Sequence, residues 1–431
     1  MSDDHLLRAR TRLGLLIFAQ ILVSCVSLIY VANDQAPIAF QPTTYHIFFE
    51  LSRLPVALAV VSAFSLLALM FVFARFSVGY FVGFYCYTMI LGYLWLNCFS
   101  DLNYDHRSAA LSAAAAAVVF LVPALFVTTP LRQADVLSER AFDRLLMAIA
   151  AVAAGIVAAG ATYNFRVVGI RQIYAFRDQL QTPIILGYLL ATAGTVLLPF
   201  AFAGFVARKR YACSVAILVV LLVLYPINLS KSALFAPFWL IALLALSKIF
   251  ETRAVVVISL LGPTLLGVIL VTIFYDKAAQ YFMVINMRMI AIPSVGMDVY
   301  NDFFSRHDLT HFCQINLLKR FMPCPYQEQL SVIMERTYKL GNFNASLFAT
   351  EGIASVGTLL APVSALACGL VIAMANRLSA GLSARFVLLS AAVLAQVILN
   401  VPATVTLFSH GAVMLGALWF VTPRAIFRNV E

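Results

Sequence analysis

Apolar residues along this chain gather into runs of about twenty, the length of helix that crosses the hydrocarbon core of a bilayer, and short charged segments separate them. Runs fall at 12–32, 54–74, 77–98, 108–129, 144–163, 184–206, 211–229, 232–250, 254–275, 352–375, 385–403 and 405–422. The pattern predicts an all-α fold: a polytopic membrane helical bundle of about twelve transmembrane helices, forming one integral membrane domain over 1–431. The pairs 211–229/232–250 and 385–403/405–422 read as tight hairpins. The first run follows Arg8, Arg10 and Arg12 and leads into Asn33 and Asp34, not a small-residue cleavage site, so it reads as a membrane helix and not as a signal peptide. The Ala-rich stretch 109–117 reads as a tightly packed helix.

Two longer segments break the rhythm, a basic loop at 164–183 and a large loop at 276–351 between the ninth and tenth spans. Loops of the second length usually carry function. Its first part, KAAQYFMVINMRMIAIPSVGMDVYNDFF, is too apolar for free chain and is interrupted by Arg288 and Pro293. It reads as helical pieces that lie in the interface or re-enter the membrane, packed against the bundle so that backbone groups stay satisfied. The stretch 326–338 reads as a short amphipathic surface helix.

Composition agrees with lipid as the solvent: 63% of residues are hydrophobic and 11% charged, where a soluble domain has about a quarter charged. Charge adds orientation, because short basic loops stay in the cytoplasm. Of 29 basic residues, sixteen fall on the side of the N-terminus, from Arg8 through Arg75, Arg132, Arg208, Arg253 and Arg377 to Arg428. Both termini are then expected to be cytoplasmic. The net charge of +10 fits anchoring to anionic lipid head groups and does not call for nucleic acid. Most of the remaining basic residues gather in 164–183 and 276–351 on the other side. Long external segments translocate regardless of charge; alternatively the two loops surround an anionic ligand, for which guanidinium groups suit phosphate or carboxylate.

The chain has no Walker loop, GxGxxG, HExxH or GxSxG. No His/Cys group has metal-site spacing, so neither a metal nor a cofactor is expected. Cys313 and Cys324 share the large loop and can form a disulfide if that side is oxidising. Four outward clusters remain. In NFRVVGIRQIYAFRDQLQTP (164–183), helical spacing brings Arg171, Tyr174 and Arg177 toward one face, with Arg166 nearby; a solvated linker would be basic too. In NLSKSALFAP (228–237), Lys231 either snorkels to the interface or, as an ionisable residue in an apolar hairpin, serves function. RMIAIPSVGMDVYNDFFSRHD (288–308) joins Arg288, Asp298, Asp302 and His307 to Tyr300, Phe303 and Phe304, the mixture of charge and aromatic faces that sugars require. An interfacial aromatic belt would explain the rings but not Arg288. GNFNASLFATEGIASVG (341–357) supplies Asn342, Asn344 and Glu351 at the mouth of the tenth span.

These four clusters, in this order, resemble the Wzy-type O-antigen polymerases, the bacterial oligosaccharide repeat-unit polymerases. The resemblance covers the whole architecture, including the basic middle loop, the SKS hairpin and the second large loop. It implies a metal-independent transfer at the periplasmic face of the bacterial inner membrane. A glycan would leave undecaprenyl pyrophosphate and join the sugar of another lipid-linked repeat unit. Membrane lipid and a chain-length regulator protein are the further partners. Arg288 and His307 are then the expected catalytic residues, and Arg166, Arg171, Tyr174, Arg177, Lys231, Tyr300 and Asn344 the expected substrate-binding ones. The external choices for the base are His307, His311, Asp298, Asp302 and Glu351, of which His307 is preferred. The Arg-to-Gly spacing of eleven found in some polymerases is not kept, since Arg166 meets Arg177 and Arg288 meets Val299. An O-antigen ligase on the same scaffold would differ only in its acceptor, and a flippase would need polar residues spread through the bilayer depth.

Overall fold

The computed structural model describes residues 3–32, 45–133, 136–169, 173, 176, 179–315, 318, 321–340 and 350–427. It is 78% helical with no strands among the described residues. Among the described residues, eleven helices are long and apolar enough to cross a membrane: α1 (Leu7–Ala32), α2 (Leu54–Phe73), α3 (Val78–Asn97), α4 (His106–Phe126), α5 (Glu139–Tyr163), α6 (Ile184–Ala207), α7 (Tyr211–Asn228), α8 (Lys231–Ile249), α9 (Thr252–Phe274), α10 (Ala279–Phe304) and α12 (Thr350–Ser379). Between the last two lies α11 (Leu330–Tyr338), the expected amphipathic helix. After them come two shorter apolar helices, α13 (Ala384–Ile398) and α14 (Ala412–Val421). Twelve of these elements fall on the twelve runs read from the sequence, and α10 is the addition.

Helix starts follow local chemistry. Ser77, Asp105, Ser138 and Ser383 each accept a hydrogen bond from the backbone N–H three residues on, satisfying an otherwise orphaned donor at the starts of α3, α4, α5 and α13. Helix α3 is buried along its whole length and forms the axis of the bundle. Its rings pack against α2 and one another, with Phe71 edge-on to Tyr80 and Phe84 at 5.4 Å. Where ring bulk is absent, backbones approach closely. A Cβ on Gly369 would lie 2.7 Å from the Phe120 carbonyl oxygen, and Ala109, Ala113, Ala116 and Ala117 are buried on α4. This is the small-residue packing expected of the Ala-rich run.

Contacts between helix ends assign the loops to two faces. On the first, Arg10 lies over Phe73, Arg253 donates to the carbonyls of Val72 and Ala74, and Arg377 donates to Thr129. Arg385 donates to Ser247 and Arg424 to Leu131, while Arg208 and Arg210 pair with Asp143. The residues are those that the orientation rule had grouped. On the second face, the Tyr30 hydroxyl meets Thr272, Phe48 N–H donates to Phe99 O, and Arg53 pairs with Asp101.

Helix α10 has both ends on that second face. It begins just past a 3-10 turn (Tyr275–Ala278), with Phe282 against Tyr30. It ends with Asp298 accepting from Ser100 at 2.7 Å and Asp302 accepting from the Asn103 N–H at 3.1 Å. Its middle lies deeper: Asn286 donates to Thr264 O at 2.7 Å and Ser294 to Met89 O at 3.1 Å. Those partners lie about 12–15 Å below the ends of α9 and α3 at 1.5 Å per residue. The segment is therefore helical throughout, packed against the bundle and re-entrant, with a π-helical stretch (Met283–Ala291) at the dip.

Candidate functional site

The second face holds a cavity of about 1060 Å³. Its walls come from the start of α8, the middle of α9, the π-helical stretch of α10, the loop after α10, the start of α12 and the end of α13 with the turn beyond. Lys231 and Arg288, singled out separately from the sequence, both line it, and so does Glu351.

Lys231 is placed by the NLSKS turn. Leu229 adopts left-handed backbone (φ 46°), the Asn228 carboxamide oxygen accepts from Ser230 N–H at 3.0 Å, and the chain turns from α7 into α8 with Lys231 as the first helical residue. Ser230, Lys231 and Ser232 all face the cavity. The positive dipole end of a 19-residue helix thus adds to the ammonium charge there. Arg288 is placed by the π-helical stretch, which is pinned by Asn286 through Thr264 O and the Ser27 hydroxyl at 2.9 Å. Gly267 makes room for that carboxamide, since a Cβ there would sit 1.8 Å from the Asn286 oxygen. Arg288 remains exposed, and no carboxylate among the described residues pairs with it.

Glu351 comes from the short helical stretch ahead of Gly357, whose φ of 80° and ψ of 167° break α12. One carboxylate oxygen accepts the Ala403 N–H at 2.8 Å. The facing loop is tied to the same stretch, with Thr310 and His311 donating their N–H groups to Ala354 and Ser355 carbonyls. Cys313 and Cys324 form a disulfide that closes this loop. The lining also carries uncharged hydrogen-bonding groups, Gln396, Asn400, Thr404 and Ser259, while Phe235, Phe238 and Met283 give it an apolar side. Trp239 Nε1 and His410 Nδ1, buried at the cavity, have no hydrogen-bond partner among the described residues.

The remaining expected residues are distributed differently. Tyr300 is fully buried, its ring 5.9 Å from Phe304, so the expectation that it stacks on a sugar is corrected: the aromatic side of α10 turns into the core, where its area is removed from water. His307 lies beyond the end of α10, stacked on Phe303 at 3.9 Å, with Nδ1 at 2.8 Å from Phe303 O. It does not line the cavity, and a base needs hydrogen-bond reach of its proton, so the preference for His307 is not upheld. His311 is also outside it. Asp298 and Asp302 are buried in a network with Ser100, Tyr104, Asn103 and Tyr338 that fastens α10 and α11 to the loop after α3. Arg166 is exposed, donating to Gln179 at 3.3 Å and bound through its N–H to Pro226 O. Arg171, Tyr174, Arg177 and Asn344 lie outside the described residues, although Ile173 lines the cavity.

Sequence reading missed Gln396, Asn400, Trp239 and His410. The available signal was a carboxamide inside an apolar run, which is costly in lipid and therefore faces a cavity or a partner. Comparison with family models, curated proteins and solved structures finds no match to this chain.

Proposed function

We propose that this protein is an O-antigen-type polymerase: a glycosyltransferase that moves a growing glycan from undecaprenyl pyrophosphate onto the sugar of a second lipid-linked repeat unit. The observation that carries this reading is the meeting of Lys231, the α8 N-terminus and Arg288 in one cavity that also has a neutral hydrogen-bonding wall and an apolar side. A lipid-linked diphosphate sugar presents those three chemistries together. The cations hold the pyrophosphate and meet the charge that builds on it as the glycan departs, which is electrostatic stabilisation of the transition state. Gln396 and Asn400 offer donors and acceptors for sugar hydroxyls. Phe235, Phe238 and Met283 continue toward lipid and suit the first isoprene units.

In this reading the basic face is cytoplasmic, as the orientation rule requires, and the cavity opens to the periplasm of the inner membrane. The test is the lipopolysaccharide pattern of a gene deletion in the host bacterium, complemented with wild type, Lys231→Ala or Arg288→Ala at equal protein levels. Core bearing a single repeat unit in the deletion and both variants, with a ladder restored by wild type, is expected. Bare core with accumulated lipid-linked polymer would indicate a ligase instead, and an unchanged ladder would remove the glycan-transfer reading.

A further inference from the structure

We infer that Glu351 is the catalytic residue that takes the proton from the acceptor hydroxyl, an assignment that rests on the transferase reading above. Geometry carries it. Glu351 is the sole carboxylate lining the cavity among the described residues. It lines the same cavity as the cations that suit a pyrophosphate and the carboxamides that suit a sugar. Asp298 and Asp302 are spent in the buried network, and His307 and His311 lie outside.

The carboxylate is also held in position. One oxygen is fixed by the Ala403 N–H at 2.8 Å. Pro402 and Thr404 on either side of Ala403 line the cavity, as do Ala354 and Ser355 one turn on from Glu351. An oriented base within a walled site is what proton abstraction from a weakly acidic hydroxyl needs. His410, the other titratable candidate of the lining, lacks such an anchor at Nδ1, which is buried with no hydrogen-bond partner among the described residues. Tyr300 and Cys368 feel the Glu351 charge from the packing side, and the titratable and charged groups that share its cavity are Lys231, Arg288 and His410.

The step balances as follows. The acceptor oxygen bonds to the anomeric carbon while that carbon's bond to the pyrophosphate oxygen breaks. The electron pair departs on the pyrophosphate, facing Arg288 and Lys231, and the hydroxyl proton moves to the Glu351 carboxylate. Water at the open face then carries the proton away.

The experiment uses purified full-length protein in proteoliposomes with a lipid-linked repeat unit as substrate, comparing wild type, E351Q, E351D and H410Q for turnover across pH and for donor binding. E351Q keeps an oxygen for the Ala403 N–H, so donor affinity and melting temperature are expected to match wild type while turnover falls by about 10²–10⁴-fold. The wild-type and E351D rates should fall on the acid side as the carboxylate protonates, and the residual E351Q rate should lose that limb. E351Q turning over at the wild-type rate, an acid limb that persists in E351Q, or one that vanishes in H410Q alone would each overturn the assignment. Absence of polymer from wild-type protein would instead overturn the transferase reading beneath it.

Discussion

At the scale of single residues, the two cations differ in what they offer a diphosphate. Arg288 presents a planar fork of donors and stays charged, whereas an ammonium is a point charge. Arg288→Ala is therefore expected to cut turnover by about 10²–10³-fold, the size found on removing one donor to a developing anion. Arg288→Lys should recover only part of that, because charge returns without two parallel hydrogen bonds. His307→Ala should leave turnover unchanged, since the ring stacks on Phe303 outside the cavity. Steady-state rates in proteoliposomes check all three, and a loss in His307→Ala equal to that in Arg288→Ala would contradict the site. Lys231 and Arg288 were legible in the sequence because a lone cation in an apolar stretch has few bland explanations. Tyr300 and His307 misled because α10 is buried on most sides: its aromatic stripe faces protein, and the histidine past its end stacks on Phe303.

At the scale of elements, the site depends on one interruption of regular helix, at Gly357, and on the docking of α11. Gly357 has backbone that is essentially restricted to glycine, and its nearest neighbour, Leu309 at 3.5 Å from an added Cβ, would not clash. Gly357→Ala should therefore cost about 1–3 kcal/mol from backbone strain alone, lower the melting temperature in detergent, and reduce turnover by shifting Glu351. The second element is α11, docked by the Tyr338 hydroxyl donating to Asp302 at 2.5 Å. Burial first, then that hydrogen bond and the carboxylate's charge, raise the Tyr338 pKa well above the tyrosine range, with Arg306 opposing. A raised folded-state pKa means that the stabilisation is fully present below about pH 10, the unfolded value, and is lost as pH climbs toward the folded value. Difference titration of tyrosinate absorbance between wild type and Tyr338→Phe should show no ionisation of Tyr338 near pH 10 in folded protein; a normal tyrosinate step there would refute the docking. Amphipathic spacing made α11 readable, but the partner carboxylate lies 36 positions away in the chain, beyond the reach of local pattern.

At the scale of the whole molecule, the decisive feature is α10. By length and apolarity it equals a spanning helix, yet its two ends share a face. If it crossed the membrane, every element after it would be inverted, and the end of α12 would part from the end of α4. Contact says otherwise: Asn376 donates to Ala124 O at 2.7 Å and accepts from the Gly79 N–H at 2.7 Å. The basic residues after α10 thus stay with those before it, and the orientation rule holds over the entire chain only because α10 turns back. Single cysteines can test this parity once Cys25, Cys86, Cys98, Cys213 and Cys368 are replaced and the disulfide is kept. Lys209→Cys and Gly381→Cys, on opposite sides of α10 in the chain, should react with an impermeant maleimide only after the membrane is opened. Arg306→Cys, exposed at the end of α10, should react in intact spheroplasts. Labelling of Gly381→Cys in intact cells with Arg306→Cys protected would mean that α10 spans. The cavity would then have walls from both sides of the membrane, and chemistry confined to one face would give way to passage through the bilayer.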